Sequence, residues 1–210
     1  MSIQKLHLIE NQYFLGIWKI DETEEELKEY LHPKWLSEDF FNIQHPQKRL
    51  EWLASRCLVK KLSEKSGFEY SGIEKDDFGK PFLKNCAVEI SFSHTFRYAA
   101  AILDFATPTG IDIEQIDAKF TKIAPKFLSP QELEFTQQNL EEIAYHWCAK
   151  EALYKLFGKK QLSFKNNIFI IKPFEGEGVF EGIIEKGELK MKIRLKGEKL
   201  GDYLVVFAIR

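Results

Sequence analysis

Apolar positions along this chain change period several times, and each change predicts an element. Tyr13 to Ile20 is apolar enough to predict a strand that stops at Asp21. The acidic run Glu22 to Glu29, with Leu27, Tyr30 and Leu31, predicts an exposed, partly amphipathic helix ended by His32-Pro33. From Pro46 to Lys65, Leu50, Leu53, Ala54, Cys57, Leu58 and Leu62 recur at helical spacing, with Pro46 suited to the first turn and Gly67 to the stop. The period then shortens to two. Val88, Ile90 and Phe92 alternate, Tyr98 to Phe105 runs apolar, and Ile111 and Ile113 alternate with acids, so three strands are predicted. Ser129-Pro130-Gln131-Glu132 is a capping box with Pro at the first helical position. A second long helix is predicted from Leu140 to Phe157, closing at Gly158. After Phe164 the pattern is β again. Leu189, Met191, Ile193 and Leu195 face one way and Lys190, Lys192, Arg194 and Lys196 the other, and a last strand runs from Asp202 to Ile209.

This order predicts an α+β fold of two similar halves, 1–108 and 109–210, dividing near Thr107-Pro108-Thr109. Composition supports a well-filled core: 44% of the 210 residues are hydrophobic, 14% aromatic and 30% charged. A net charge of -2 argues against a protein built to grip nucleic-acid phosphates. The longest apolar runs, such as Tyr203 to Ile209, fall far short of the ~20 residues that span a bilayer. Met1 to Glu10 lacks the basic start and apolar stretch of a signal peptide, so a cytoplasmic location is expected. Cys57, Cys86 and Cys148 are isolated and odd in number, which predicts buried thiols rather than disulfides or a zinc site.

Three segments carry candidate chemistry. In Gly110-Ile111-Asp112-Ile113-Glu114 the two carboxylates are two residues apart and share one strand face, with the two Ile expected to point into the core. Paired hard oxygen ligands suit Mg²⁺, although an amphipathic strand with a wet face would look the same. In Trp147-Cys148-Ala149-Lys150-Glu151-Ala152-Leu153-Tyr154-Lys155, Glu151 and Lys155 share a helix face. They suit a third ligand or general base and a phosphate-holding cation, or equally a surface ion pair. Phe78-Gly79-Lys80-Pro81 reads as a turn presenting Lys80, and Ser93-His94 at a strand end could bind phosphate oxygens or be structural. No Gly-rich phosphate loop and no G-x-S-x-G elbow is present.

Taken in order, G-K-P, S-H, G-I-D-I-E, F-L-S-x-x-E (Phe127 to Glu132) and W-x-x-K-E-A-x-x-K closely resemble the Sfp-type 4′-phosphopantetheinyl transferases. The resemblance covers roughly Lys80 to Gly158, with departures at Ser91 and Thr95 that keep small polar side chains. It implies a pseudo-dimeric α+β fold, with coenzyme A and Mg²⁺ in a cleft between the halves. It also implies one complete site per chain, in a monomer, since Gly110 lies at mid-chain. The implied reaction moves phosphopantetheine from coenzyme A to a Ser of an apo acyl or peptidyl carrier protein. By family position Asp112, Glu114 and Glu151 would hold Mg²⁺, Glu151 would accept the Ser proton either directly or through a metal-bound water, and Lys155 would stabilise or protonate the leaving group. Ser93 and His94 would contact phosphates, Lys80 would seat the nucleotide end, and Arg49 and Arg56 would supply bases for the 3′-phosphate. A metal-dependent phosphodiesterase and a non-catalytic carrier-binding module are the alternative functions. Asp117 to Leu128, with Lys119, Lys122 and Lys126 beside Phe120, Ile123 and Phe127, is the expected carrier-docking segment, with Phe127 core and Phe120 or Ile123 in contact.

Overall fold

The computed structural model describes residues 13–84, 86–159, 162–171 and 178–209, together with the backbone of 2–9. The chain separates into two compact units, Met1–Thr109 and Gly110–Arg210. Each is an antiparallel sheet with a long helix against one face, which makes the fold α+β.

The first unit contains β1 (Ser2–Ile9), β2 (Tyr13–Lys19), α1 (Glu24–Leu31), the short α2 (Glu38–Phe41) and α3 (Pro46–Lys65). Four further strands follow: β3 (Ile73–Lys75), β4 (Pro81–Leu83), β5 (Glu89–Thr95) and β6 (Tyr98–Asp104). Their sheet order is β1-β2-β6-β5-β4-β3. The edge strand β1 was not predicted, because Ser2 to Ile9 mixes polar and apolar residues without sustained alternation. Helix α1 starts where Thr23 and Glu26 form a reciprocal capping box. Leu53, Cys57, Leu58 and Leu62 of α3 are completely buried in a core that includes Trp18, Ile90, Ala101 and Leu103.

The second unit runs β7 (Ile111–Gln115), α4 (Lys119–Phe127), α5 (Pro130–Thr136), α6 (Leu140–Phe157), the single turn α7 (Phe164–Asn167) and β8 (Ile168–Ile170). It closes with β9 (Gly178–Lys186), β10 (Leu189–Leu200) and β11 (Tyr203–Ile209), in the sheet order β7-β11-β10-β9-β8. Ser129 and Glu132 form the predicted capping box, and Gly158 ends α6 in the left-handed conformation at φ 67°. Phe164 begins a helical turn rather than a strand, because the Ser163 hydroxyl accepts from the Asn166 amide and starts it. Among the described residues no helix is long and apolar enough to cross a membrane.

Candidate active site

Gly110 sets the geometry of the second unit. A Cβ there would lie 2.0 Å from the Ala152 carbonyl oxygen and 2.7 Å from the Leu156 nitrogen, so only Gly lets the start of β7 press onto the backbone of α6. Strand periodicity then turns Asp112 and Glu114 toward the same helix. Ile111 and Ile113 are fully buried on the opposite face, and the acidic face of β7 packs on the helix, unlike the wet face of a merely amphipathic strand.

Asp112 is 3% exposed and accepts from Lys155 Nζ at 2.7 Å through Oδ1. The same ammonium donates to the Ile111 carbonyl at 3.2 Å. Glu114 accepts from Trp147 Nε1 at 3.0 Å, with Lys119 farther off at 3.8 Å. Burial, followed by the charge of Asp112, raises the carboxyl of Glu114 to about 7. The same two causes, in the same order, raise Glu151 to about 7, against the opposing pull of Lys155. The predicted carboxylates and Lys155 thus gather where β7 meets α6. Lys155 pairs with Asp112 rather than with Glu151, so the surface pair between residues four apart does not form.

Lys150, beside Glu151, is completely buried. Its ammonium reaches Glu132 at 2.7 Å and the carbonyls of Ile168 at 2.7 Å, Phe164 at 2.9 Å and Phe127 at 3.1 Å. Glu132 also accepts from the backbone amides of Ser129 and Ile170. The pair therefore ties α4, α5, α7 and β8 to the helix that carries Glu151. In the sequence Glu132 belongs to the capping box and to the F-L-S-x-x-E segment, and nothing local links it to Lys150. The missed signal was a Lys three residues before Leu153, on a helix buried on nearly every side.

Phe120 is completely buried, which corrects its assignment as a carrier contact; Phe127 is core as expected. A cavity of about 350 Å³ lies against Ile123, Lys126, Phe127, Trp147 and Phe164. Trp147 therefore lines this space while its indole N–H holds Glu114.

The first unit gathers a second group of predicted residues, each in a different situation. Lys80 sits in a turn built on Asp76, whose carboxylate accepts from the amides of Phe78 and Lys80, with Gly79 at φ 87°. Its ammonium pairs with Glu89 at 2.7 Å. Ser93 is buried near the end of β5, and the next residue, His94, directs Nδ1 to Glu51 at 3.1 Å. Arg49 is engaged by both carboxylate oxygens of Glu24, at 2.5 and 2.7 Å. Arg56 differs. It is 8% exposed, its guanidinium stacks 3.9 Å from the Trp52 ring centroid, and its Nη1 donates to Ser55 Oγ at 2.9 Å and the Trp52 carbonyl at 3.3 Å. Among the described residues no carboxylate pairs with it. Burial lowers its pKa to about 10, leaving it charged at neutral pH. Arg56 lines a cavity of about 220 Å³ with Trp35, Trp52 and Tyr70 as walls and the Lys75–Asp39 pair among its lining residues. Lys75 and the aromatic walls were not anticipated. A cation five residues before Lys80, on a strand hydrogen-bonded to the Gly-Lys-Pro segment, was the available signal.

No curated protein matches this chain. Residues 108–208, the span that includes Asp112, Glu114, Glu151 and Lys155, do match a family model, and this C-terminal domain belongs to the 4′-phosphopantetheinyl transferase superfamily.

Proposed function

We propose that the chain transfers the 4′-phosphopantetheine group of coenzyme A to a Ser of an apo acyl or peptidyl carrier protein, as an Mg²⁺-dependent monomer of the Sfp type. The observation that carries this reading is the meeting of Asp112, Glu114, Glu151 and Lys155 where β7 packs on α6. The presence of a whole α+β unit before Gly110 supports the Sfp type over the short holo-acyl-carrier-protein synthases, whose corresponding strand lies near the N-terminus.

The donor set has the chemistry for a hard divalent cation. Three carboxylates share the space, and two are raised partly by the charge of Asp112, a mutual cost that a cation would relieve. Among the described residues no three such side chains already stand as a closed ligand set, and Asp112 meets Lys155 instead. Asp112, Glu114 and Glu151 would hold Mg²⁺, which supplies positive charge for the pyrophosphate oxygens. Glu151, with its carboxyl raised to about 7, suits a general base at neutral pH. It takes the carrier Ser proton as the Ser oxygen bonds to the β-phosphorus. The bridging P–O bond breaks, and adenosine 3′,5′-bisphosphate leaves with its charge met or protonated by Lys155.

In the first unit, Arg56 is the stronger candidate for the 3′-phosphate, since Arg49 already has a bidentate carboxylate partner. Lys75 lines the same cavity but is paired with Asp39 at 2.7 Å and so ranks below Arg56. Lys80 serves the nucleotide end, and Ser93 and His94 meet phosphate oxygens. Ile123, Lys122 and Lys126 form the carrier-facing surface of α4. Incubation with coenzyme A, Mg²⁺ and several apo carriers should add phosphopantetheine to the carrier by intact mass and release adenosine 3′,5′-bisphosphate. Hydrolysis of coenzyme A with every carrier unmodified would establish the phosphodiesterase instead, and coenzyme A binding without turnover the non-catalytic module.

A further inference from the structure

Glu51 is a carboxylate that α3 buries almost completely, at 1% exposure, although Lys48 one turn before it is exposed. Removing a carboxylate from water is costly and rarely adds stability, so its partners show what the position serves. Oε2 receives two groups: Lys48 Nζ at 2.6 Å, which is 58% exposed, and His94 Nδ1 at 3.1 Å. Burial alone would raise the Glu51 pKa, but the bonds from His94 and Lys48 outweigh it and leave the carboxyl below its ordinary value. An ionised carboxylate only accepts, so Nδ1 is the donor and Nε2 is the nitrogen left for a ligand. His94 itself remains 32% exposed, so the ring is anchored from inside and reachable from outside.

We infer that Glu51 is a positioning residue: by taking the Nδ1 proton it fixes the His94 ring so that, when protonated, Nε2–H is presented to a phosphate of coenzyme A. The inference rests on the assignment of His94 to phosphate contact made above. The contact spans α3 and the end of β5, joining the same helix that carries Arg56 to the strand that carries Ser93. An anchored imidazole loses less rotamer freedom on binding than a free one, so the expected gain lies in affinity.

The test is a double-mutant cycle on coenzyme A affinity by calorimetry, with Glu51→Gln, His94→Ala and the double variant. Glu51→Gln should weaken binding about three- to tenfold in the otherwise unchanged protein, as the loss of one modest hydrogen bond would. It should have no further effect once His94 is Ala. In turnover, the KM for coenzyme A should rise while kcat and the KM for the carrier hold. Equal losses in both backgrounds would make Glu51 a structural residue and overturn the inference, as would unchanged affinity in Glu51→Gln. If His94→Ala alone leaves affinity unchanged, the inference falls together with the His94 assignment beneath it. Glu51→Asp, one methylene short of the ring, takes the place of the Gln variant should that fail to fold, with the same expected and overturning results.

Discussion

The two units each bury one cation on their long helix, and the two cations are treated in opposite ways. Lys150 on α6 has three N–H bonds to give and four acceptors within 3.1 Å, including the Glu132 carboxylate. Arg56 on α3 has five N–H bonds to give, and two neutral acceptors meet one of its nitrogens. Both lie against aromatic rings, Arg56 on Trp52 and Phe92 and Lys150 near Phe169. Burial of a charge therefore does not separate a structural role from a binding role. The inventory of partners does: a satisfied cation holds the fold, and an unsatisfied one beside a cavity is held ready for an anion.

The most severe way to break this comparison is Lys150→Met. It leaves the Glu132 carboxylate without its counter-ion and three carbonyls without a donor. Removing one member of a buried pair costs about 3–5 kcal/mol. For a chain of this size that lowers Tm by roughly 10 °C or more, measurable by calorimetry without substrate. A Tm within error of the unchanged protein would show that α4, α5, α7 and β8 are tied down by other contacts.

Arg56→Met should do the reverse. It removes a buried charge that no carboxylate among the described residues pairs with directly, Asp39 acting on it only through space, and keeps apolar bulk against Trp52, so Tm should hold or rise. Coenzyme A affinity should fall at least about tenfold, as expected for a lost charged hydrogen bond of about 1.5–3 kcal/mol. A large loss of Tm with unchanged affinity would assign Arg56 to the same structural class as Lys150.

The carboxylates near β7 sharpen the comparison from the acidic side. Glu114 and Glu151 are raised from 4.5 to about 7 in the fold by burial and by Asp112. Between those values the folded chain binds more protons than the unfolded one, so stability without metal falls as pH rises from about 4.5 to about 7. Mg²⁺ must displace those protons below pH 7 and not above it. The rise in Tm with added Mg²⁺ should therefore be larger at pH 8 than at pH 6. An equal rise at both values would place the cation elsewhere, or show that these two carboxyls do not ligate it.

The parts of this arrangement that could be read from sequence were those whose cause is local. Helices α3 and α6 show their period and their stops, Ser129 to Glu132 carries its own cap, and Asp112 and Glu114 share a face by strand geometry alone. What stayed hidden depends on partners distant in the chain. Glu132 meets Lys150 and the Ile170 amide, and Glu51 meets His94, across intervals that no periodicity reports. Arg56 and Glu51 look like solvated helix charges until β5 is known to pack over that side of α3. Helix α4 was obscured by Pro125, which removes one backbone donor inside a nine-residue helix and reads as a break. Phe120 was misread for the same reason, since without the helix its face could not be assigned.

The smallest expected effect belongs to Arg49, the control for Arg56. Both are arginines on α3, seven positions apart in number, and sequence gives no reason to rank one over the other. Arg49 meets Glu24 through two oxygens, and the hydrogen bond from Arg49 is the main reason the Glu24 carboxyl falls to about 2. A lowered carboxyl adds stability above its unfolded value near 4.5 and loses it as pH falls toward 2. The pair is partly solvated, so that contribution is small, and Arg49→Ala should leave Tm at neutral pH within error. The same guanidinium would have to leave Glu24 before it could hold a phosphate. Coenzyme A affinity should therefore change little in Arg49→Ala, set against the tenfold loss expected for Arg56→Met. A larger loss at Arg49 than at Arg56 would reverse the ranking and show that a bidentate carboxylate partner can yield to the substrate.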